Sequence, residues 1–383
     1  MNIGIVTHKV VKGDGQGRVN YEIAQAALQQ GHRVVLIASQ IAPELDSHPF
    51  ASWVPIPVVR WPTGLLRNQI FAWRSFRWLR RHSYQLDVVH ANGFITWATS
   101  DVNAAHFVHS SWLRSPVHTI RLRQDLYGVY QWLYTALNAR LERRSYRRAK
   151  VVVAVSEKIR NELMEIGISD KHIHVIPNGV DLEEFSPGPA KREELGLPEE
   201  VPLALFVGDI KTPRKNLDTI LHALVEVPEL HLAVVGSTEG SPYPQLAERL
   251  LVAPRVHFLG YRQDMSRLMQ AADVFVFPSR YEPFGLVVLE AMASGLPVIT
   301  ATTAGAAGLV SAECGTVMDD PNDVSALAAA LKRLARYPES RKRMGEEARA
   351  VVEQYSWQQA SERYLRLYEE AANHKGLNKG FLT

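Results

Sequence analysis

The sequence predicts an α/β protein of two domains, each built on a parallel β-sheet with helices on both faces. Short apolar segments rich in β-branched residues alternate with helical patterns along most of the chain. Such segments are typical of strands buried on both faces of a parallel sheet. The alternation is interrupted once, and 383 residues suffice for two domains of ordinary size.

The elements of the first predicted domain precede that interruption. We predict its strands at residues 3–7, 33–38, 87–90, 105–109, 151–155 and 174–176, with a helix at 19–30. Turn-forming residues crowd the stretch 177–189, which includes Asn178 and Gly179. The first domain is therefore expected to cover residues 1–180, with a hinge near these two residues.

The second domain is expected over residues 190–355. Its strands are predicted at 203–207, 230–235, 256–259, 274–277 and 297–300, and its helices at 217–225, 286–293 and 324–337. No strand follows the final helical pattern, at about 357–375. We expect this last helix to return to the first domain.

Composition limits the possible partners. The single cysteine, Cys314, excludes internal disulfides and cysteine-based zinc sites. No apolar run is long enough to span a bilayer, so we expect a cytoplasmic protein. The net charge of +3 conceals a basic surplus in the first 170 residues and an acidic remainder. The basic part predicts an anionic partner such as a lipid phosphate or a membrane surface. No nucleic-acid motif is present.

The first group of candidate site residues lies between Glu282 and Glu290. A strand ends at Phe277, and a helix begins near Phe284 and Gly285. The backbone N–H groups of Gly285, Leu286 and Val287 would then be free to bind a diphosphate. Glu290 lies about 9 Å further along the helix, where its carboxylate could hold a ribose. The spacing alone leaves it equally open that both glutamates are surface or capping residues.

The second group follows the strand that ends before Gly208. Arg214 and Lys215 lie between a strand and a helix, at the sheet edge where ligands bind in such folds. Two cations there would neutralise a diphosphate leaving group. A solvated charged loop is the alternative.

The third group is a glycine-rich loop after the first strand. Its glycines at positions 13, 15 and 17 do not match G-x-G-x-x-G, and no acidic residue ends the second strand. Both features argue against a dinucleotide site, and a flexible turn remains an alternative to a phosphate loop.

Histidines supply the fourth group, because His90 and His109 each end a predicted strand. Either could face a ligand or be a hydrogen-bonded structural residue. No H-E-x-x-H or similar spacing occurs, so no metal is predicted.

The fifth group is a basic, aromatic helix from Arg67 to Arg81. Arg67, Arg74 and Arg81 recur every seven residues and share a helical face. Such a helix could make a peripheral contact with an anionic membrane, and an ordinary surface helix is as well supported. A second basic cluster at 140–150 is expected to be an exposed helix face.

Several long segments resemble glycosyltransferase family 4, whose retaining enzymes have the GT-B fold. The segment from Glu282 to Glu290, EPFGLVVLE, resembles the family's E-x7-E motif. Other matching segments are GQGR from Gly15, VSE from Val155, IPNGVD from Ile176 and AADVFVFPS from Ala271. The resemblance covers nearly the whole chain. It implies two Rossmann-like domains facing across a cleft, with a C-terminal helix returning to the N-terminal domain.

The resemblance also implies roles for matching positions. Glu282 would contact the hydroxyls of the transferred sugar, and His109 is similar to the active-site histidine that faces this sugar. The implied donor-binding residues are Gly15, Gly17, Gly208, Arg214, Lys215, Gly260, Tyr261, Phe284, Gly285, Leu286, Val287 and Glu290. Two departures occur: Asp209 stands where the family usually has arginine, and Gly308 where it often has an acidic residue. We hypothesise that Arg214 supplies the missing cation.

The implied function is transfer of a hexose from a UDP- or GDP-sugar to a hydroxyl of a sugar or lipid-linked acceptor. The expected reaction retains the anomeric configuration and needs neither metal nor cofactor. Synthesis of a cell-envelope glycan, glycolipid or polysaccharide is the expected setting, with the protein cytoplasmic or peripheral at the inner membrane face. A GT-B epimerase or phosphorylase, and a non-catalytic nucleotide-sugar-binding protein, are the alternatives.

Overall fold

The computed structural model describes residues 1–380, with the side chains of residues 1–373. The chain forms two compact units, one from Met1–Asn178 together with the chain from Trp357, and one from Gly179–Ser356. Each unit is built around one sheet whose strand pairs are all parallel. The predicted α/β class with two parallel sheets is confirmed.

The first unit contains a seven-stranded sheet in the order β3-β2-β1-β4-β5-β6-β7. Its strands are β1 (Asn2–Val10), β2 (Arg33–Ile41), β3 (Ala51–Pro55), β4 (Val88–Asn92), β5 (Val102–Ala105), β6 (Val151–Ala154) and β7 (Ile173–Val175). Between Met1 and Asn178 its helices are α1 (Gly15–Gln29), α2 (Pro43–Asp46), α3 (Gly64–His82), α4 (His109–Arg114), α5 (Thr119–Leu122), α6 (Leu126–Tyr146) and α7 (Glu157–Glu165). The strand order reverses between β1 and β4, and in open parallel sheets such a reversal is where ligands bind.

The second unit contains a six-stranded sheet in the order β10-β9-β8-β11-β12-β13. Its strands are β8 (Leu203–Val207), β9 (His231–Val235), β10 (Val256–Gly260), β11 (Val274–Phe277), β12 (Val298–Ala301) and β13 (Gly315–Met318). Its helices are α8 (Leu217–Val225), α9 (Tyr243–Arg249), α10 (Met265–Ala271), α11 (Leu286–Ala293), α12 (Val324–Arg336) and α13 (Pro338–Val352). Here the order reverses between β8 and β11.

The last helix, α14 (Trp357–Gly380), belongs to the first unit and packs on α1. Tyr364, Leu365 and Tyr368 join the core formed by β1, β2 and α1. The hydroxyl of Tyr368 lies 2.5 Å from Nδ1 of His90 in β4. The predicted return of the C-terminal helix to the first domain is confirmed.

Two strand predictions in the first unit are wrong in detail. The strand expected at 105–109 is β5, which ends at Ala105, and His109 instead begins α4. The polar residue Asn103 obscured the strand in the sequence, but it is buried and bonded to Gly93 and Ser145. His90 does not end its strand either, since β4 continues to Asn92.

Strands β3 and β13 were not predicted. Strand β3 lies at the edge of its sheet and is largely exposed, so its residues lack the apolar pattern of the central strands. Strand β13 is also an edge strand, with only four residues.

Candidate functional site

In the second unit, the loops that follow β8 and β11 meet at the reversal of strand order. The backbone N–H of Arg280 donates to the carbonyl of Arg214 at 2.9 Å, and Ser279 Oγ donates to the same carbonyl at 3.1 Å. The guanidinium of Arg280 also holds Asp218 in α8 through two hydrogen bonds. These contacts fix the two loops side by side.

A carboxylate with two cations lies where the loops meet. Lys215 Nζ donates to Glu282 Oε2, and Arg214 Nη1 lies 3.8 Å from the same oxygen. The ammonium also lies 4.8 Å from the centre of the Phe277 ring. Burial lowers the pKa of Lys215, and the carboxylate of Glu282 opposes that shift. The loops therefore concentrate two cations around the carboxylate of Glu282.

The backbone gives this cluster its shape. Gly285 has φ +100°, a left-handed conformation that favours glycine, and a Cβ added there would lie 3.3 Å from Cγ of Glu282. The N–H of Glu282 donates to the carbonyl of Thr303, and the N–H of Gly305 donates back to the carbonyl of Glu282. At Gly208, an added Cβ would lie 3.1 Å from Cγ of Lys215. Both glycines leave room for the charged side chains.

Helix α11 begins beside this cluster. Gly285 is its N-cap and has no side chain that could accept hydrogen bonds from the first N–H groups. The first N–H groups of a helix lack partners within the helix and carry partial positive charge. Leu286 and Val287 are half-exposed there, and Glu290 is half-buried further along. The structure thus brings together the predicted residues Gly208, Arg214, Lys215, Glu282, Phe284, Gly285, Leu286, Val287 and Glu290.

Gly260 and Tyr261 lie at the same edge of the sheet but at the end of β10, two strands away from β8. Gly260 has φ +68°, and its carbonyl accepts a hydrogen bond from the N–H of Gly236 at 2.9 Å. The side chain of Tyr261 is largely exposed.

In the first unit, a cavity of about 240 Å³ lies where the order reverses between β1 and β4. Gly17 lines it, and Gly15 is the first residue of α1 beside it. Asp14 Oδ1 accepts the N–H of Gly17 at 2.8 Å, so the glycine-rich loop is a capped helix start. A Cβ at position 17 would lie 3.0 Å from the carbonyl oxygen of Val11.

His109 also lines this cavity, and its partner is a residue that the sequence did not reveal. Glu142 accepts the backbone N–H of His109 at 2.7 Å through Oε1 and lies 2.6 Å from Nδ1 of His109 through Oε2. Burial raises the pKa of Glu142, and the bonds from His109 oppose that shift. The carboxylate thus fixes the orientation of the ring and favours a proton on Nδ1.

The expectation that the basic cluster at 140–150 is exposed is confirmed, but the same stretch also carries a buried face. Glu142 and Tyr146 are buried, whereas Arg140, Arg143 and Arg144 are exposed. The sequence could have indicated this buried face, because the four-residue spacing of Asn138, Glu142 and Tyr146 places them on one side of α6.

His90 belongs to a buried network. Its Nδ1 contacts Tyr368, and its Nε2 lies 3.4 Å from Oδ1 of Asn92, which also lies 3.0 Å from Nε2 of His106. Burial lowers the pKa of His90 to about 4 and that of His106 to about 3. Both rings are neutral at pH 7, and His90 is a structural residue.

Two family models match the chain. The model described as Glycosyltransferase Family 4 matches residues 13–184, and the one described as Glycosyl transferases group 1 matches residues 188–371. Together they cover nearly the whole chain. The chain belongs to glycosyltransferase family 4.

Three similar proteins illustrate the family. A D-inositol 3-phosphate glycosyltransferase of Xylanimonas cellulosilytica is 32% identical over 59% of this chain and 58% of its own length, so the chain spans little more than half of that relative. The crystal structure of WaaG, a glycosyltransferase involved in lipopolysaccharide biosynthesis, matches with a TM-score of 0.76 and 24% identity over 94% of this chain and 98% of WaaG. Anabaena HepE, solved in complex with UDP and glucose, matches with a TM-score of 0.70 and 22% identity over 97% of this chain and 100% of HepE. The two structural likenesses show a shared GT-B fold.

Asp209, which stands where the family usually has arginine, shapes its own loop. Its carboxylate accepts hydrogen bonds from the N–H of Lys211 at 3.0 Å and from Thr212 Oγ1 at 3.1 Å. Arg214 lies at the cluster instead, beside Lys215. This position is compatible with the hypothesis that Arg214 replaces the missing cation.

The described residues contain neither a group of side chains that could hold a metal ion nor a helix that could cross a membrane. No three His, Cys, Asp or Glu side chains there are grouped as a metal site would require. None of the described helices is both long and apolar enough to cross a bilayer.

The basic helix expected from Arg67 to Arg81 is part of α3. The side chain of Arg67 donates to the carbonyl of Trp61 at 2.7 Å, and that of Arg74 donates to the carbonyl of Pro57 at 3.0 Å. These two arginines therefore anchor a neighbouring loop as well as lying on the surface.

Proposed function

We propose that this chain is a retaining, metal-independent glycosyltransferase that transfers a hexose from a UDP- or GDP-sugar to an acceptor hydroxyl. The main support is the cluster of Lys215, Arg214 and Glu282 beside the start of α11, whose N-cap is a glycine. Family membership and the UDP and glucose bound by HepE agree with it.

The cluster suits the diphosphate of a nucleotide sugar. When the donor's glycosidic bond breaks, negative charge develops on the leaving diphosphate. Two side-chain cations and the N-terminal amides of α11 would stabilise that charge without reorganising. Because the protein itself supplies this positive charge, we propose that catalysis needs no divalent ion.

The carboxylates take the remaining parts of the donor in this proposal. Glu290, further along α11, would accept hydrogen bonds from the ribose hydroxyls. Glu282 would contact hydroxyls of the transferred sugar, with Gly260 and Tyr261 bordering the base. In the first unit, Gly15 and Gly17 would approach the donor, and His109 would face the transferred sugar.

Retention would follow from attack on the same face of the sugar that the diphosphate leaves. A donor phosphate oxygen would take the proton of the acceptor hydroxyl, so no protein base is required.

Donor identity and metal dependence can be tested together. A thermal-shift screen of UDP- and GDP-hexoses should reveal one donor that raises the melting temperature, because ligands of the folded state stabilise it. Turnover with that donor should persist in EDTA, and the product should keep the donor's anomeric configuration in its NMR spectrum. Loss of turnover in EDTA, or inversion, would contradict the proposal. Formation of an epimerised sugar would favour an epimerase, and donor binding without turnover a non-catalytic protein.

Arg214→Ala tests the replacement of the missing family arginine. We expect weaker binding of the donor, measured by calorimetry with UDP. Unchanged affinity would show that Arg214 does not serve this role.

The acceptor side of the proposal includes a membrane-linked glycan or glycolipid. WaaG takes part in lipopolysaccharide biosynthesis, which agrees with a cell-envelope role. On α6, large apolar side chains face outward, with Leu126 90% and Leu133 55% exposed, and exposed arginines follow at 140, 143 and 144. An apolar face followed by arginines suits an anionic bilayer surface. We propose that this face of α6, beside α3, makes a peripheral membrane contact.

Vesicle sedimentation can test this contact. Vesicles containing phosphatidylglycerol should bind the protein, and phosphatidylcholine vesicles should bind it less. Leu126→Ser should reduce the binding, whereas Leu251→Ser, which alters an equally exposed leucine in the second unit, should not. Equal binding by both variants would argue against this surface. The cytoplasmic location stays a prediction.

A further inference from the structure

A tyrosine that lines the cavity of the first unit has a buried hydroxyl group without a partner among the described residues. Tyr146, on the last turn of α6, is 1% exposed and lines the cavity with Asn138 and Glu142. Among the described residues, its hydroxyl has no hydrogen-bond partner. Burial raises the pKa of Tyr146 well above its usual value, so the group keeps its proton and can donate. Buried hydroxyls are nearly always paired, and an unpaired one calls for a ligand or a water.

Space in front of this hydroxyl is kept open by a glycine. Gly93 has φ +61°, and a Cβ added there would lie 3.5 Å from the hydroxyl oxygen of Tyr146. The carbonyl of Gly93 is already bonded to Asn103 and Ser145. This carbonyl is therefore already occupied. A ligand oxygen would accept the hydrogen bond from Tyr146 instead.

The charges around the cavity do not favour an anion. Two carboxylates line it, Glu142 and Asp14, and Lys9 lies 3.3 Å from the carboxylate of Asp14. Burial keeps the pKa of His106 at about 3 and lowers that of His8, so neither ring adds positive charge at pH 7. Among the described residues, no arginine lines this cavity.

We infer that this cavity binds a neutral polyhydroxylated ring of the acceptor and that the hydroxyl of Tyr146 donates a hydrogen bond to it. A volume of about 240 Å³ is below the usual range for drug-sized ligands, which suits a single ring. The inference relies on the proposed transferase function only in assigning that ring to the acceptor. Any phosphate or lipid on the acceptor would lie outside the cavity.

Saturation-transfer NMR on the full chain can test this directly, without donor. The probes are glucose, galactose, mannose and myo-inositol, with glucose 6-phosphate as the charged counterpart of glucose. We expect at least one neutral ring to bind, and Tyr146→Phe to weaken that binding by roughly three- to tenfold, as loss of one hydrogen bond would. The melting temperature should not fall, because the hydroxyl has no partner in the protein to lose.

Tyr364→Phe is the matched control. Tyr364 also has a buried hydroxyl without a partner among the described residues, but it does not line the cavity. Its substitution should leave probe binding unchanged.

Three results would overturn the inference. The first is that none of the neutral rings binds, and the second is that glucose 6-phosphate binds more tightly than glucose. The third is that Tyr146→Phe binds the probes as well as the unsubstituted chain, as it would if the hydroxyl were bonded to a buried water. A separate titration with UDP reports on the second unit, so failure of this inference can be distinguished from failure of the proposed function.

Discussion

Replacing Lys215 by methionine removes one charge and keeps most of the length of the side chain. The side chain of Lys215 is 13% exposed, and its ammonium lies between Glu282 and the ring of Phe277. A hydrogen bond from a charged donor contributes about 1.5–3 kcal/mol. Because about 1.4 kcal/mol corresponds to a tenfold change in affinity, we expect the Kd for UDP to rise by roughly tenfold to a hundredfold.

The same substitution should also affect folding, but Arg214 limits the loss. Arg214 remains 3.8 Å from the carboxylate of Glu282, so that charge keeps a partner. Burial also lowers the pKa of Lys215, which shows that the folded state disfavours its charged form. We expect the free energy of unfolding in urea to fall by less than the roughly 3–5 kcal/mol that loss of one partner of a buried ion pair costs, because Arg214 remains.

Calorimetric titration with UDP and GDP is the assay, and Lys211→Met is the control. Lys211 is an exposed lysine in the same loop, so its substitution should change the Kd less than about twofold. A folded Lys215→Met protein that binds UDP as tightly as the unsubstituted chain would refute the reasoning. Failure of the unsubstituted chain to bind either nucleotide would refute the donor site itself.

Three further predictions follow from the same geometry. Gly285→Ala places a Cβ at φ +100°, close to Glu282, and should cost about 1–3 kcal/mol in urea unfolding; an unchanged unfolding midpoint would contradict the strain. Glu142→Gln should lower kcat by about tenfold or more with an unchanged Kd for UDP, because it disturbs the orientation and tautomer of His109; equal kcat, or an unchanged ¹⁵N signature of the ring, would count against it. The folded protein binds a proton at His90 only near pH 4, whereas an unfolded histidine binds one near pH 6.5. Stability should therefore fall with decreasing pH across this window, by up to about 1.4 kcal/mol per pH unit from this residue. His90→Gln should flatten that part of the profile in urea unfolding, and an equally steep profile would exclude this cause.

The residues of the second-unit cluster were predictable because their arrangement is local. Lys215 and Glu282 each follow a buried strand and precede a helix, and parallel strands bring such loops to one edge of the sheet. The ion pair between them does not follow from spacing, since the two residues lie 67 positions apart.

In the first unit, helix α6 shows why the sequence was less informative. Its large apolar residues, among them Leu126 and Leu133, face outward, and its buried face carries Asn138, Glu142 and Tyr146. A periodicity argument places the apolar stripe in the core, which is the opposite assignment. The partnership of His109 and Glu142 spans 33 positions and depends on that inverted face.

The membership of α14 in the first unit has a consequence for biosynthesis. The segment that leaves the ribosome first lacks Tyr364, Leu365 and Tyr368, which complete its core only after the whole second unit has been translated. Until then, Nδ1 of His90 lacks the hydroxyl of Tyr368. The half of the protein that is made first should therefore be the last to acquire its native packing, and a nascent chain stalled before residue 357 should remain sensitive to protease in that half.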